Sequence, residues 1–357
     1  MKNERKGKGK KAASGKKSYR RIATEEAFSI PEQMEIMREM ALNAQEYDPD
    51  LFLWKIMTDS KGPVCARLLD VDDERLRIMD RDAVAVHVLS LTSTGVQMLD
   101  ADRGTALATL ANDRLAEAIR RHPDRYAGLG TVAPQDPVRA VKEIDRAVST
   151  LKLNGFLINS HTNDEYLSER KYWPILEAIA AHEVPVYLHP RAPRPAMAPA
   201  YRTDQLEHAI WGYQAETGLH ALRLITSGVF DQFPKLRVVL GHMGEAIPYW
   251  LYRIDYMHAR SIIGMHRPKL KRAPSEYFKE NFYITTSGVN WHPVLQFCIN
   301  VLGADRIMFA IDYPYQESGE AVEFLNSAAI SEEDKEKIFH KNAERVFHIK
   351  KAKAAAA

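Results

Sequence analysis

Short apolar runs and longer amphipathic segments alternate along this chain from residue 19 onward. Eight of the runs have the length and composition of buried strands, and the segments between them space their apolar residues with a helical period. The predicted strands are 21–26, 84–91, 126–132, 155–159, 184–189, 237–241, 282–287 and 306–311. Because strands that alternate with helices form parallel sheets, this order predicts a (β/α)8 TIM barrel.

Two segments interrupt the alternation. An insertion at about 29–64 separates the first predicted strand from the next clear helix. Loops at the mouth of such a barrel determine specificity, so this insertion is a candidate lid or pocket wall. The second segment, 190–202, is rich in proline, which predicts a stiff irregular loop without a regular helix.

The two ends of the chain differ in composition from the barrel. Residues 1–21 contain ten Lys or Arg and a single acid, Glu4, although the whole chain has a net charge of only +2. We therefore predict a disordered basic tail at 1–18, a barrel domain at 19–349 and a frayed tail at 350–357. Since the barrel itself is net acidic, nucleic acid is not expected as its main partner.

The sequence also bears on compartment. It has no apolar run of about 18 residues, the length that a membrane helix needs. No apolar stretch follows the basic N-terminal residues, as a secretory signal would require. The two cysteines, Cys65 and Cys298, lack the spacing of a disulfide framework or a zinc knuckle. These features predict a cytoplasmic protein without a membrane partner.

Four acidic or imidazole side chains lie at or just past the ends of predicted strands. Glu25 belongs to the first strand, His189 to the fifth, His242 to the sixth and Asp312 to the eighth. The carboxyl ends of barrel strands meet at one mouth, so residues far apart in sequence can converge there. Carboxylates and imidazoles are ligands for divalent metals. The pattern therefore predicts a divalent-metal site.

The two acids among these residues have simpler explanations when taken alone. Glu25 and Asp312 could cap a following helix, since acids favour helix starts. Glu26 should point away from the mouth if the strand is regular. Glu245 could orient His242 or could merely favour a helix dipole. The positions of His189 and His242 favour a site even when taken singly, and the coincidence of four such positions strengthens that interpretation.

A set of motifs resembles the amidohydrolase-2 group of the amidohydrolase superfamily. The motifs are TEEAF, NDRLAEA, HPDRYAGLGTVAPQDP, GFLINSHT, YLHP, VVLGHMGEAIPYWLYRIDYMH, ITTSG and ADRIMFAIDYPY. They span about 20–348 and look like those of the metal-dependent nonoxidative aromatic acid decarboxylases. This group includes the 5-carboxyvanillate, γ-resorcylate and 2,3-dihydroxybenzoate decarboxylases; the first looks most similar through TEEAF, YWLYRIDYMH and DYPYQ.

The resemblance implies a carboxy-lyase of aromatic compound catabolism. Such an enzyme converts an ortho-hydroxylated benzoate reversibly to the phenol and CO2. It uses one divalent ion, manganese or zinc with magnesium as a third option, and no organic cofactor. By resemblance, Glu25, His189 and Asp312 bind the metal. Asp312 is then the proton donor, with His242 and Glu245 as its relay.

The same resemblance assigns substrate binding to Arg253 and Tyr315, and it implies a homodimer or homotetramer with Arg253 acting across an interface. The family's 5-carboxyvanillate members carry an extra arginine after the LW pair of the insertion, but here the stretch LWKIMTDSKGPVC has no Arg before Arg67, and Lys55 or Lys61 would have to substitute. That difference weakens the assignment of this one substrate. The aromatic residues Tyr249, Trp250, Tyr252 and Tyr256 could belong to the core or to a subunit interface; the core is the default expectation, although the resemblance implies a dimer.

A metal-dependent hydrolase of a lactone or amide is the alternative function. In that enzyme His242 and Asp312 would activate a metal-bound water. Hydrolases of the superfamily carry two histidines in an HxH motif on the first strand. Here the matching stretch is Glu25, Glu26 and Ala27, and Ala27 cannot bind metal. This difference favours the decarboxylase.

Overall fold

The structure is a computed structural model that describes residues 19–260 and 268–350. The predicted basic tail at 1–18, and the predicted C-terminal tail beyond residue 350, lie outside the described residues.

Eight parallel strands form one sheet in the order β1 to β8. Backbone hydrogen bonds from Thr24 N to Phe309 O (3.1 Å) and from Ala27 N to Tyr313 O (2.7 Å) join the first strand to the segment after the last. The predicted (β/α)8 barrel is therefore confirmed. The strands are β1 Ile22–Phe28, β2 Val86–Leu91, β3 Tyr126–Gly130, β4 Gly155–Asn159, β5 Val186–His189, β6 Val238–Leu240, β7 Phe282–Thr285 and β8 Ile307–Met308.

Helices surround this sheet and also cover its mouth. They are α1 Pro31–Asn43, α2 Pro49–Met57, α3 Pro63–Leu69, α4 Glu74–Arg81, α5 Ala101–Arg121, α6 Pro137–Ser149, α7 Trp173–Ala181, α8 Pro199–Arg202, α9 Gly212–Thr226, α10 Val229–Gln232, α11 His242–Glu245, α12 Ile247–Arg260, α13 Pro274–Asn281, α14 His292–Leu302, α15 Ser318–Ser327, α16 Glu332–Glu336 and α17 Asn342–Val346. A π-helical turn at Lys337–Lys341 lies between α16 and α17.

Alternate residues of each strand pack on opposite sides of the sheet. In β5, Val186 and Leu188 join the large core between the sheet and the helices, whereas Tyr187 joins a separate core inside the barrel. In β6, Val239 faces inward in the same way. This period of two lets the apolar strands fill both layers. It also directs side chains at the strand ends toward the barrel mouth.

The insertion after β1 folds as three helices with a small core of their own. Met37, Trp54 and Leu68 are fully buried in that core. Asp48 caps α2 by accepting a hydrogen bond from Leu51 N at 3.0 Å. The proline-rich segment does contain a helix, the four-residue α8, contrary to the prediction. Pro199 occupies its first turn, where a missing N–H costs nothing.

The aromatic residues of α12 are not in the core, so that expectation was wrong. Their exposed fractions range from 41% to 80%. The helix buries Ile247, Pro248 and Leu251 on its opposite side. Its aromatic side chains therefore form an exposed surface, here called the aromatic face: Tyr249, Trp250, Tyr252 and Tyr256.

Among the described residues, no helix has the length and apolar character needed to cross a membrane.

His87 on β2 is a buried histidine with an expected effect on acid stability. Neither ring nitrogen has a hydrogen-bond partner among the described residues. Burial, with Arg75 and Arg125 nearby, holds its pKa well below the usual 6.5. The folded state therefore keeps His87 neutral, while the unfolded chain takes up a proton below pH 6.5. The free energy of unfolding is therefore unaffected by His87 above pH 6.5 and decreases as the pH falls below that value.

We expect the variant His87→Met to be at least as stable as the wild type at pH 7, because it removes two unpaired buried nitrogens. It should also lose less stability on acidification from pH 6.5 to 5, by about 1.5 kcal/mol. Urea denaturation of both proteins at a series of pH values measures this difference. Parallel pH dependences of the two proteins would show that His87 is not the group responsible.

Candidate metal centre and active site

Glu25 lies buried at the centre of the barrel mouth. Its Oε2 accepts hydrogen bonds from the hydroxyls of Tyr187, Ser287 and Thr285, the last at 3.1 Å. Its Oε1 has no hydrogen-bond partner among the described residues. A Cβ at Gly241 would lie 2.9 Å from Oε2, so only glycine fits beside this carboxylate. The hydroxyls thus fix one oxygen and leave the other free for a ligand.

His189 ends β5 and presents a nitrogen to the same point. Its Nδ1 lies 2.8 Å from the carbonyl oxygen of Pro190, which requires the proton to be on Nδ1. The Nε2 atom therefore carries a lone pair, and it lies 3.5 Å from Glu25 Oε1. This arrangement of a ring N–H bonded to a carbonyl is typical of histidines that bind metals.

Asp312 approaches from the segment after β8 with a left-handed backbone conformation, φ 74°. Its N–H donates to the carbonyl of Glu25 at 3.1 Å. One possible ligand atom from each of Glu25, His189 and Asp312 lies within 4.8 Å of the others. Two carboxylates and one imidazole, with the free Glu25 Oε1 among them, fit a divalent ion such as manganese, zinc or magnesium.

His242 lies beside this donor set. Its backbone begins the element α11, where Met243 and Gly244 have left-handed conformations, so α11 is a tight turn rather than a regular helix. The turn brings His242 Nδ1 to 2.8 Å from Glu245 Oε1. The other ring nitrogen, Nε2, lies 3.9 Å from Glu25 Oε1 and 4.0 Å from Asp312 Oδ2. His242 can therefore connect Glu245 to the centre.

The two carboxyls at the centre differ in acidity. Burial raises the pKa of Glu25, but His242 and His189 together with the donating hydroxyls hold it below its usual range. Burial and the neighbouring Glu25 raise the pKa of Asp312 well above its usual range, and His242 only partly opposes this. In the absence of a cation, Glu25 is therefore the ionised carboxylate and Asp312 the one that holds a proton.

The two histidines also differ. Burial lowers the pKa of His242, but Glu245 and Glu25 overcome this effect and raise it to about 10. Burial lowers the pKa of His189, and Glu25 opposes it only in part. His189 is thus neutral, as a metal ligand must be, while His242 holds a proton. A bound cation would oppose the charge of the carboxylates and lower the pKa of His242.

A cavity of about 300 Å3 opens onto these residues. The insertion forms its far wall, so the prediction of a pocket wall is confirmed. Asp312, His189 and His242 line one end. Of the described residues around it, none is Lys or Arg. The other lining residues are Asp50, Leu53, Trp54, Ile56, Met57, Val64, Ser93, Thr94, Pro190, His208, Ala209, Tyr213, Tyr315 and Gln316.

Tyr315 is in this cavity, where the sequence places it. Its hydroxyl hydrogen-bonds Thr92 and also lies 3.2 Å from the sulfur of Met57. Arg253 is elsewhere. It is exposed on α12 and lines a separate groove of about 500 Å3, together with Trp250 and Glu245. Within one chain, Arg253 therefore does not reach the metal cavity.

Sequence reasoning missed the residues that hold Glu25 in place. Tyr187 precedes His189 by two positions and so shares its inward face, a signal that the period of two could have provided. Thr285 and Ser287 have the same relation at the end of β7. Their common acceptor could not be inferred, because it depends on how strands distant in sequence face each other across the barrel.

The sequence also did not reveal how the insertion is fastened. Asp50 is buried and accepts two hydrogen bonds from Arg191, at 2.9 and 2.7 Å. Its other oxygen accepts from Ala192 N at 3.1 Å. This ion pair, in which two N–H groups of Arg191 donate to the same carboxylate oxygen, joins α2 to the loop that follows His189. It thereby attaches the insertion, which forms part of the cavity wall, to the loop next to His189.

Comparison with known proteins gives the family. The amidohydrolase family model matches residues 70–349. The chain belongs to this family. A γ-resorcylate decarboxylase from a Polaromonas species is 39% identical over 292 residues, which cover 80% of this chain and 89% of the relative. These matches confirm the predicted family.

Two solved structures share both fold and sequence with this chain. The 5-carboxyvanillate decarboxylase of Sphingomonas paucimobilis is 47% identical, with a TM-score of 0.90 and coverage of 93% of this chain and all of that one. The enzyme of Novosphingobium aromaticivorans, solved with manganese and 4-hydroxy-3-methoxy-5-nitrobenzoic acid, is 41% identical. Its TM-score is 0.89, and the match covers 92% of this chain and 96% of the other. The prediction of a metal-dependent aromatic acid decarboxylase, a carboxy-lyase, is confirmed.

Proposed function

We propose that this enzyme decarboxylates an ortho-hydroxylated benzoate at a single divalent ion held by Glu25, His189 and Asp312. The observation that carries this proposal is the free Oε1 of buried Glu25, which faces His189 and Asp312 at the end of a largely apolar cavity. A benzene ring suits the apolar walls, and its carboxylate and phenol oxygens suit the polar end.

We propose manganese as the ion, because the relative from Novosphingobium aromaticivorans contains it and because two oxygen donors with one imidazole suit it. When bound, the ion orients the carboxylate and phenol oxygens of the substrate and stabilises their negative charge. The side chains of the chain itself supply the remaining chemistry.

Asp312 is the proposed proton donor. Its carboxyl lines the cavity, and His242 Nε2 lies 4.0 Å from its Oδ2, so Asp312 can receive a proton from His242 and present it to a bound ring. The proton adds to the ring carbon that bears the carboxylate, and the electrons for the new C–H bond come from the ring. The bond from that carbon to the carboxylate then breaks, its electrons restore the aromatic ring, and CO2 leaves. The product is the phenol.

His242 and Glu245 return the proton to Asp312. His242 Nε2 is 4.0 Å from Asp312 Oδ2, and its Nδ1 bonds Glu245 at 2.8 Å. Glu245 has a second oxygen with no hydrogen-bond partner in the described part of the chain. The pair is the proposed proton relay, in which Glu245 orients His242 and the His242 ring moves closer to Asp312 before the proton passes.

We propose that Arg253 binds a substrate carboxylate in the active site of a second subunit. Trp211 and Trp250, the latter from the aromatic face, line the groove that contains Arg253. Aromatic and arginine side chains are enriched in subunit interfaces. A homodimer through α12 would bury these side chains, and a homotetramer could contain two such pairs.

A mixture of two inactive variants should recover activity if Arg253 acts across the interface. Arg253→Ala lacks the arginine, and Glu25→Gln lacks a metal ligand. After denaturation and refolding together in equal amounts, about a quarter of the sites would combine an intact metal centre with an intact partner. Measured CO2 release should rise to that fraction of wild-type activity. A mixture as inactive as its components would contradict the proposal.

A panel of hydroxybenzoates tests the substrate class. Metal-analysed enzyme is offered γ-resorcylate, 2,3-dihydroxybenzoate and 5-carboxyvanillate, with 4-hydroxybenzoate as the control that lacks an ortho hydroxyl. We expect CO2 from at least one of the first three and none from the control. The dicarboxylate 5-carboxyvanillate should depend most on Arg253. Hydrolysis of lactones or amides without turnover of the panel would support the hydrolase instead.

We propose that the enzyme acts in the cytoplasm. Cys65 and Cys298 are both free thiols, which suits a reducing compartment.

A further inference from the structure

Glu26, the second acid of the TEEAF motif, faces away from the metal cavity and is fully buried. Its Oε1 accepts a hydrogen bond from Ile311 N at 3.0 Å, and its Oε2 accepts one from Tyr313 N at 3.2 Å. These are the backbone N–H groups immediately before and after Asp312. One carboxylate therefore holds both sides of the proposed proton donor.

The backbone around Asp312 needs such a partner. The regular pairing of β8 ends at Met308, and Asp312 has a positive φ of 74°. At Asp312 itself the N–H bonds to the main-chain carbonyl of Glu25, as in a strand pair. The N–H groups of the residues on either side instead bond to Glu26. A buried N–H without a partner costs about 1–3 kcal/mol, so the carboxylate substitutes for absent strand carbonyls.

The geometry points to Glu26 as a positioning residue for Asp312. By fixing the peptide groups on both sides, it stabilises the left-handed conformation that turns the Asp312 carboxyl into the cavity. The two acids of the motif thus have separate tasks: Glu25 faces the metal, and Glu26 sets the geometry of the opposite ligand. This inference rests on the proposed role of Asp312.

Nearby residues add further contacts between the segment after Glu25 and the segment after Asp312. Arg75 is buried and donates to the carbonyl of Ala27 at 2.7 Å, and its guanidinium lies 4.6 Å from the ring centre of Tyr313. Ala27 N in turn donates to Tyr313 O at 2.7 Å. The residues after Glu25 are therefore tied to the residue after Asp312 by backbone, side-chain and ring contacts.

The variant Glu26→Gln tests this inference while preserving shape. One of its two acceptors becomes an NH2 group that faces a backbone N–H, so one of the two contacts is lost. We expect Mn2+ affinity, measured by titration of the metal-free protein, and kcat each to fall about 10-fold to 100-fold, with little change in KM. If Glu26→Gln does not fold, Glu26→Asp, too short to reach both N–H groups, is measured instead.

A matched control separates positioning from stability. Asn342 is buried and donates from Nδ2 to Ala304 O at 2.8 Å and to Ile307 O at 2.7 Å, at the opposite end of β8. Asn342→Leu removes two side-chain-to-backbone hydrogen bonds, in which Asn342 is the donor. It should lower Tm at least as much as Glu26→Gln, which loses one such contact, but leave Mn2+ affinity and kcat within about twofold of wild type. Equal losses in both variants would overturn the inference.

The double variant with Asp312→Ala identifies the residue through which Glu26 acts, because Ala leaves no metal donor at position 312. If Glu26 only positions Asp312, Glu26→Gln should weaken Mn2+ binding no further once Asp312 is replaced by Ala. Additive losses would overturn the inference but leave the metal site intact. If Asp312→Ala alone left Mn2+ affinity unchanged, the proposed metal site itself would fail. The two failures are thus distinguishable, and neither readout requires turnover.

Discussion

The variant Asp312→Asn should lower kcat about 10^3-fold, because an amide cannot deliver the proton that the ring carbon receives. Asn is the appropriate replacement, since it is nearly isosteric with Asp and tolerates the positive φ at this position. Its carbonyl oxygen can still contact a cation, so Mn2+ binding should weaken only about 10-fold. Steady-state assays of CO2 release and Mn2+ titration measure the two quantities separately.

Asp305→Asn is the control for this variant. Asp305 lies just before β8, and its side chain is largely exposed in an ion pair with Lys337. The control should retain wild-type kcat and Mn2+ affinity. If Asp312→Asn kept kcat within about 10-fold of wild type, Asp312 would not be the proton donor and the assignment would pass to His242.

The second large effect is expected from His189→Ala, which removes the neutral nitrogen of the donor set. The purified variant should lack bound Mn2+ and show no measurable decarboxylation. Because a ligand that binds only the folded state stabilises it, added Mn2+ should raise Tm in the wild type but not in this variant. Metal analysis and thermal denaturation with and without Mn2+ give both results.

His182→Ala is its control. His182 is a partly exposed histidine at the end of α7, and its Nε2 lies 2.8 Å from Asp145 Oδ1. This variant should keep the Mn2+-dependent rise in Tm and wild-type activity. A similar rise in Tm with His189→Ala would mean that the stabilising ion binds outside the proposed centre.

The barrel could be predicted because its signal is local. Most strands are short, largely apolar runs, and these runs alternate with segments of helical spacing, so the strands can be predicted one at a time. The ends of the strands were less predictable. The strand predicted at 306–311 pairs only at Ile307–Met308, because the chain beyond departs from regular pairing to place Asp312.

The sequence predicted those residues of the candidate site that lie at the ends of strands. Glu25, His189, His242 and Asp312 do converge, since the barrel brings the carboxyl ends of its strands together. The hydrogen bonds that hold these residues in place were not predictable. The hydroxyl of Tyr187 reaches Glu25 across the barrel, and the carboxylate of Glu26 reaches the backbone of another strand. Such contacts depend on register and side-chain direction, which apolar spacing does not encode.

The α12 helix illustrates a different reason why a prediction from the sequence failed. Its aromatic residues were expected in the core because large apolar side chains are usually buried. Burial of Ile247 and Leu251 on the opposite side leaves them exposed. Arg253 lies on the same helix and lines the groove behind Glu245, so its proposed role depends on a second subunit.

The central claim is that Asp312 protonates the ring carbon that loses the carboxylate, beside a metal bound by Glu25, His189 and Asp312. The most direct measurement is turnover of the best hydroxybenzoate by the Mn2+-loaded enzyme in D2O, with the product examined by mass and NMR. We predict one deuterium per turnover, at the carbon that carried the carboxylate, and no turnover after chelation. Turnover unaffected by chelation, or a hydrolytic product that contains solvent oxygen without release of CO2, would contradict the claim.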